Sequence, residues 1–178
     1  YGGGGIEARP LFSATPILHA LEAMPPDVPS WGEAFKQALE HDFTREMHLV
    51  ASGTSLALDS NNITLDPVVT DDRGRPAIRV TYHDHSDDLS IATFLRDRCQ
   101  DLADASGAVK SWATPVEPQT NGAHLLGTCR MGDDPATSVV DRDHRSHDVP
   151  NLFICDGSSF VTAGRGQPTM TIMALAFR

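Results

Sequence analysis

A mixed α+β fold follows from three features of the sequence. Short β-prone runs, Met47 to Leu58, Ile63-Thr64-Leu65 and Ile78 to Tyr82, are separated by turn-forming clusters. Two longer stretches read as helix, Ser30 to His41 from the capping signal at its start and Leu89 to Ala105 from apolar residues at helical spacing. The separators Asn61-Asn62 and Asp71-Asp72-Arg73-Gly74 are turn chemistry, since Asn and Asp tolerate left-handed backbone and glycine adopts it freely. An antiparallel meander is therefore the economical arrangement of the β runs.

Taken in order, residues 1–29 are rich in turns and prolines, with one short helical candidate from Ile17 to Met24. Ser30-Trp31-Gly32-Glu33 has the spacing of a capping box, a hydroxyl at the N-cap and a carboxylate three residues on, and predicts a helix to about His41. After the β runs, Ser86-Asp87-Asp88 offers caps and negative charge for a helix from about Leu89 to Ala105, ended by Gly107. Its apolar positions, among them Leu89, Ala92, Leu95, Cys99 and Leu102, predict one buried stripe. Trp112 to Gln119 reads as extended. From Asn121 the chain is loop-rich, with two short strands, Ser138-Val139-Val140 and Asn151 to Cys155, before a final helix that follows a glycine-rich loop. There is no internal repeat and no low-complexity tract.

Composition narrows the function classes. With 178 residues the chain has room for one ordinary domain or two small ones, and 40% hydrophobic with 21% charged residues is the balance of a soluble globular protein. Lys and Arg number 14 against 24 Asp and Glu, a net charge of −10, so the surface repels polyanions and no nucleic-acid partner is expected. The longest apolar-rich run, Met170 to Phe177, is far too short to cross a bilayer, and no transmembrane segment is expected. Cys99, Cys129 and Cys155 are odd in number and widely spaced, which indicates neither a disulfide framework nor a thiolate zinc site and fits a reducing, cytoplasmic compartment. Tyr1-Gly2-Gly3-Gly4-Gly5 resembles neither a natural start nor a targeting peptide, and the apolar helix at the other end stops without a cap. The expectation is a piece of a longer polypeptide.

Several candidate chemistries compete. His83-Asp84-His85-Ser86-Asp87-Asp88, just past a β run, gathers nitrogen and carboxylate groups as binuclear zinc hydrolases do, with His144 and His147 as possible further ligands. The simpler reading, a strand end followed by an acidic helix start, is preferred, and no metal site is expected. No Gly-x-Ser-x-Gly elbow occurs for a serine nucleophile. Cys129 stands near His124 in sequence but has no evident third group, and reads as a bystander thiol. Gly164-Arg165-Gly166-Gln167-Pro168-Thr169 is a flexible loop entering a helix, whose unpaired N–H groups and positive dipole end would attract a phosphate, a carboxylate or the electron-rich edge of a reduced flavin. A helix start capped by solvent explains the loop equally well.

A longer pattern joins these pieces. Ala123-His124-Leu125-Leu126-Gly127-Thr128-Cys129-Arg130-Met131-Gly132, then Ser138-Val139-Val140-Asp141, then Val149-Pro150-Asn151-Leu152-Phe153-Ile154-Cys155-Asp156-Gly157-Ser158, and finally Gly166-Gln167-Pro168-Thr169-Met170-Thr171-Ile172, in that order, resemble the C-terminal signature of the glucose-methanol-choline (GMC) family of flavin oxidoreductases. The His-x-x-Gly-Thr-x-Arg-Met-Gly form looks most like the pyranose oxidase and sugar dehydrogenase branch, as do Asn61 to Pro67 and Asp72 to Pro76. The resemblance covers about residues 44–178 and is strongest after His124.

The resemblance implies a catalytic base at His124, where a neutral imidazole takes the hydroxyl proton of an alcohol as hydride leaves for flavin N5. The second catalytic position of the family, usually Asn or His, falls on Gln167, which keeps an amide donor and acceptor but cannot accept a proton. Asp156 and Gly157 match a stretch near the cofactor's ribityl-pyrophosphate part, and Gln167, Pro168 and Thr169 match the loop and helix start at the flavin. The implied cofactor is FAD, and the implied substrate a sugar, polyol or glycoside. By the same resemblance, residues 1–120 form part of a substrate-binding domain with a sheet and flanking helices, and residues 121–178 complete a Rossmann-like FAD-binding domain. The main FAD-binding half is absent, because Gly2 to Gly5 run into Ile6-Glu7-Ala8-Arg9-Pro10 and cannot open a Rossmann helix, and it is the expected partner. Two other readings stand beside this one: a zinc-dependent hydrolase using His83 and His85, and a non-catalytic remnant or binding module.

Overall fold

The computed structural model describes residues 2–10, 21, 24–118 and 124–178. It is a mixed α/β structure. Its regular elements among the described residues are β1 (Gly4–Pro10), α1 (Glu33–Asp42), β2 (Met47–Gly53), β3 (Asn62–Thr70), β4 (Pro76–Thr81), α2 (Ser86–Ala105) and α3 (Thr169–Ala176). The chain divides into two compact units. One comprises residues 1–3, 53–91 and 117–178, and the other residues 4–52 and 92–116. No helix among the described residues is long and apolar enough to cross a membrane.

The meander expected from the β runs is instead two separate two-stranded sheets, β1 with β2 and β3 with β4. The partner of β2 is the glycine-rich start of the chain, which the sequence presents as turn. The reason is close approach: a Cβ on Gly4 would lie 2.5 Å from Leu95 Cδ1 and 3.0 Å from the Ser52 carbonyl oxygen, so only a bare Cα lets the strand pass there. Leu95 is the buried residue of α2. Phe94 and Leu102 are 57% and 47% exposed, so the stripe predicted on this helix is buried at one position only.

The predicted helix near residue 30 forms, but its start is not a capping box. Gly32, at φ 92°, occupies the N-cap with no side-chain cap bond, and Glu33 accepts a hydrogen bond from Gln37 Nε2 at 3.0 Å. Glycine turns the chain into the helix where the Ser30 hydroxyl was expected to. The helix proposed over Ile17 to Met24 lies outside the described residues, Leu21 and Met24 apart. At the other end of α2, Gly107 takes φ 78° and ends the helix as expected.

β3 and β4 pair antiparallel, with Ile63 opposite Val80 and Leu65 opposite Ile78. The turn between them behaves as its sequence implies. Gly74 has φ 73°, and Asp71 Oδ1 accepts the N–H groups of Arg73 and Arg75, both at 2.9 Å. The register slips between Leu65 and Thr70, where Asp66 Oδ1 accepts the N–H groups of Val68 and Val69 in place of a ladder partner. Asn61 fastens the start of β3 to the end of β4, donating to the His83 carbonyl at 2.9 Å and accepting the His83 N–H at 3.0 Å.

Downstream of residue 124 the two predicted short strands reduce to isolated bridges: Val140 pairs with Met131 in parallel and with Ser146 antiparallel, and Arg145 pairs with Phe153. Yet this irregular stretch holds the most buried residues described. Val140 and Ser159 are fully buried, and His144 and Ser146 nearly so.

Candidate active site

The site is built on a polar scaffold. Residues 157–159 form a short 3-10 turn whose N-cap is Asp156, in extended backbone. Asp156 Oδ1 accepts the Ser158 N–H at 2.8 Å and also the Ser158 hydroxyl, while the buried Ser159 hydroxyl donates to the Asp156 carbonyl at 2.9 Å. The Ser158 hydroxyl, then its N–H, holds the Asp156 carboxyl below the usual carboxylate range.

The turn in turn holds the segment that follows His124. Gly127 donates to the Gly157 carbonyl at 3.2 Å, and Cys129 and Met131 donate to the carbonyls of Ser158 and Ser159, both at 2.8 Å. Two glycines make this fit possible. Gly127 has φ 91°, and a Cβ there would stand 3.0 Å from the Phe160 carbonyl oxygen. A Cβ on Gly157 would stand 2.4 Å from Leu126 Cδ2 and 3.5 Å from Ile172 Cδ1, so the bare Cα lets the His124 loop and α3 approach one turn together.

Two adjoining depressions open at this junction, of about 190 and about 440 Å³. His124, Leu126 and Pro168 line both. Gln167 and Phe160 line the first, and Asp156, Gly157 and Thr169 the second. All six residues singled out in the sequence, His124, Asp156, Gly157, Gln167, Pro168 and Thr169, are thereby brought to one place. His124 and Gln167 are exposed. α3 begins at Thr169 with Pro168 as its N-cap, and Ile172 donates to the Pro168 carbonyl at 3.0 Å, so the N–H groups of residues 169–171 precede the first intrahelical bond and face the open end. Gly164 and Gly166 adopt no positive φ, and a Cβ on either would meet nothing within 4 Å.

Sequence reasoning did not single out Leu126, Phe160 and Thr171 as lining residues. The signal for Leu126 and Thr171 was their place two residues from His124 and Thr169; nothing local marks Phe160.

The alternative metal cluster has other work. Asp88 Oδ2 accepts the His85 N–H at 3.1 Å, His85 Nδ1 accepts the Asp87 N–H at 3.1 Å, and His83 Nε2 lies 3.1 Å from the Ser60 hydroxyl, which is the chemistry of a strand end and a helix start. His144 Nδ1 meets the Ile154 carbonyl at 3.0 Å, and His147 Nε2 meets the Ser138 hydroxyl at 2.9 Å and the Gly132 carbonyl at 3.2 Å. Among the described residues no group of three or more His, Cys, Asp or Glu side chains could hold a metal ion. The three cysteines are free thiols.

A family model described as GMC oxidoreductase matches residues 57–176. The chain is 41% identical over 151 residues to 2-methyl-1,2-propanediol dehydrogenase of Mycolicibacterium austroafricanum, covering 85% of this chain and 27% of that protein. It is 39% identical over 113 residues to paromamine 6'-oxidase of Streptomyces fradiae, covering 61% of this chain and 20% of that protein. Gluconate 2-dehydrogenase flavoprotein of Pantoea cypripedii is 28% identical over 160 residues, covering 86% of this chain and 26% of that protein. The chain spans about a quarter of the length of the curated relatives it matches.

Proposed function

The chain belongs to the GMC oxidoreductase family, and from that premise we propose that it is the C-terminal part of an FAD-dependent oxidoreductase that oxidises a CH–OH group of a sugar, polyol or glycoside. The observation that carries the proposal is the convergence of His124, Gln167 and the N-terminus of α3 on one depression. Relatives named for a propanediol and for gluconate support a small polyhydroxy substrate, and a relative named as a flavoprotein supports the cofactor. In this reading residues 121–178 complete a Rossmann-like FAD-binding domain, earlier residues contribute to the substrate-binding domain, and an FAD-binding half is the partner.

The donor set fits a flavin. The N–H groups at the start of α3, with the positive end of the helix dipole, suit an electron-rich ring edge, and the open backbone at Gly164 and Gly166 leaves room beside it. FAD, when bound, supplies the hydride acceptor at N5. The chain's own part is proton and hydrogen-bond chemistry. The His124 imidazole takes the proton of the substrate hydroxyl, and an exposed ring in a depression is accessible for that transfer. The Gln167 amide orients the same oxygen by donating to it, with its carbonyl left to accept from a neighbouring hydroxyl. Leu126 and Phe160 give the depression an apolar wall against the carbon skeleton.

The test is anaerobic flavin reduction in the full-length protein. Adding a sugar or polyol should bleach the flavin, and His124→Ala should slow that step about 10²- to 10⁴-fold with the flavin content unchanged. An unchanged reduction rate would remove His124 from the role of base.

A further inference from the structure

Asp156 is exposed and lines the second depression, where the family pattern matches it to the cofactor, yet one oxygen of its carboxylate is engaged within its own turn. Oδ1 takes both the N–H and the hydroxyl of Ser158, and the Ser159 hydroxyl closes the same turn from the other side by donating to the Asp156 carbonyl. Ser159 is fully buried, so the turn is fastened at its interior end. Its three carbonyls then receive the N–H groups of Gly127, Cys129 and Met131. Leu126 and Ile172 both pack against the bare face of Gly157. The latched turn is thus the part shared by the His124 loop and by α3, whose N-terminus follows Gln167.

We infer that Asp156 is a positioning residue: by latching the 157–159 turn through Ser158 it sets the placement of the His124 ring relative to Gln167 and the start of α3. The inference builds on the role proposed for His124. A neutral acceptor in place of the carboxylate can make the same two bonds, because an amide oxygen also accepts from an N–H and a hydroxyl. Charge is not what the latch requires. A direct contact between the carboxylate and the cofactor would require it or its hydrogen-bonding capacity at the flavin instead.

The experiment compares Asp156→Ala, Asp156→Asn and Ser158→Ala in the full-length flavin-loaded protein. Asp156→Ala is expected to slow flavin reduction at saturating substrate about 10- to 100-fold with KM little changed, as small displacements of a reacting group do. It is also expected to raise hydrogen exchange at the Cys129 and Met131 amides about tenfold. Ser158→Ala should show the same pattern at smaller size, and Asp156→Asn should restore both readouts to near the parent values. The inference is overturned if Asp156→Asn is as slow as Asp156→Ala and loses flavin, which would make the carboxylate a cofactor contact. Unchanged exchange in Asp156→Ala overturns it as well. Failure of the His124 role is separately visible, since it appears as an undiminished rate in His124→Ala while the exchange readout still reports on the latch.

Discussion

In the β3–β4 hairpin, Ile63 faces Val80 and Leu65 faces Ile78 across a regular ladder, yet all four side chains are more than half exposed. In the stretch from Met131 to Ser159, whose β pairing consists of isolated bridges and which ends in the 157–159 turn, Val140 and Ser159 are fully buried. Regular pairing satisfies backbone groups by repetition, so a hairpin needs little shelter to keep its N–H and C=O groups paired. Irregular backbone has no such repeat, and each group must find its own partner, as Gly127, Cys129 and Met131 do on one turn. The difference teaches that, among the described residues, burial gathers in an irregular stretch whose last turn, residues 157–159, adjoins the exposed candidate site, and that the geometry of that turn depends on individual polar contacts.

The comparison can be broken most directly by truncation of valines. Val140→Ala should cost about 2 kcal/mol in denaturant unfolding of the full-length protein, since it empties a fully buried site. Val68→Ala, at a position 83% exposed in the hairpin, should stay within about 0.5 kcal/mol. Equal costs would contradict the contrast. Glycines sharpen it at smaller size. Gly127→Ala and Gly74→Ala both place a Cβ on left-handed backbone, at about 1 kcal/mol or slightly more, but only Gly127 also faces a carbonyl oxygen at 3.0 Å, so its variant should be the less stable of the two and should slow flavin reduction as well.

The smallest effect is acid sensitivity. Asp71 is held below the usual carboxylate range first by the Arg75 N–H and then by the Arg75 side chain, and Asp156 by the Ser158 hydroxyl and N–H. A depressed folded pKa contributes stability that is present above the ordinary carboxylate value, about 3.9, and is lost as pH falls through the folded value. Below about pH 4 the hairpin turn and the 157–159 turn should therefore both loosen, read as lower protection of the Arg75 and Cys129 amides relative to their intrinsic exchange rates at the same pH. Asp71→Asn should remove the acid dependence at Arg75 alone. Loss of it at both places would mean that the two regions do not respond independently.

Much of this was legible in the chain itself. The Asp71 to Gly74 turn and the helix ended by Gly107 carry signals within a few residues, whereas His124, Asp156, Gly157, Gln167, Pro168 and Thr169 were singled out by the family's motifs and line two adjoining depressions in the structure. β1 was not legible, because Gly4 reads as a turn former until Leu95 and Ser52 are seen to leave no space for a side chain. The capping role expected of Ser30 falls to Gly32, whose φ of 92° brings the chain into the helix without a side-chain cap bond.

The sequence by itself determined the Asp71 to Gly74 turn, the helices over Glu33–Asp42 and Ser86–Ala105 and the identity of the chemically capable groups, since these follow from the φ preferences and side chains of neighbouring residues. Only the tertiary structure decided that the N–H groups of Gly127, Cys129 and Met131 would meet the carbonyls of residues 157–159, and that Leu126 and Ile172 would share the face of Gly157. Backbone groups are chemically alike in every residue, so which distant ones pair is settled by the packing and burial around them, and local propensity is silent about it.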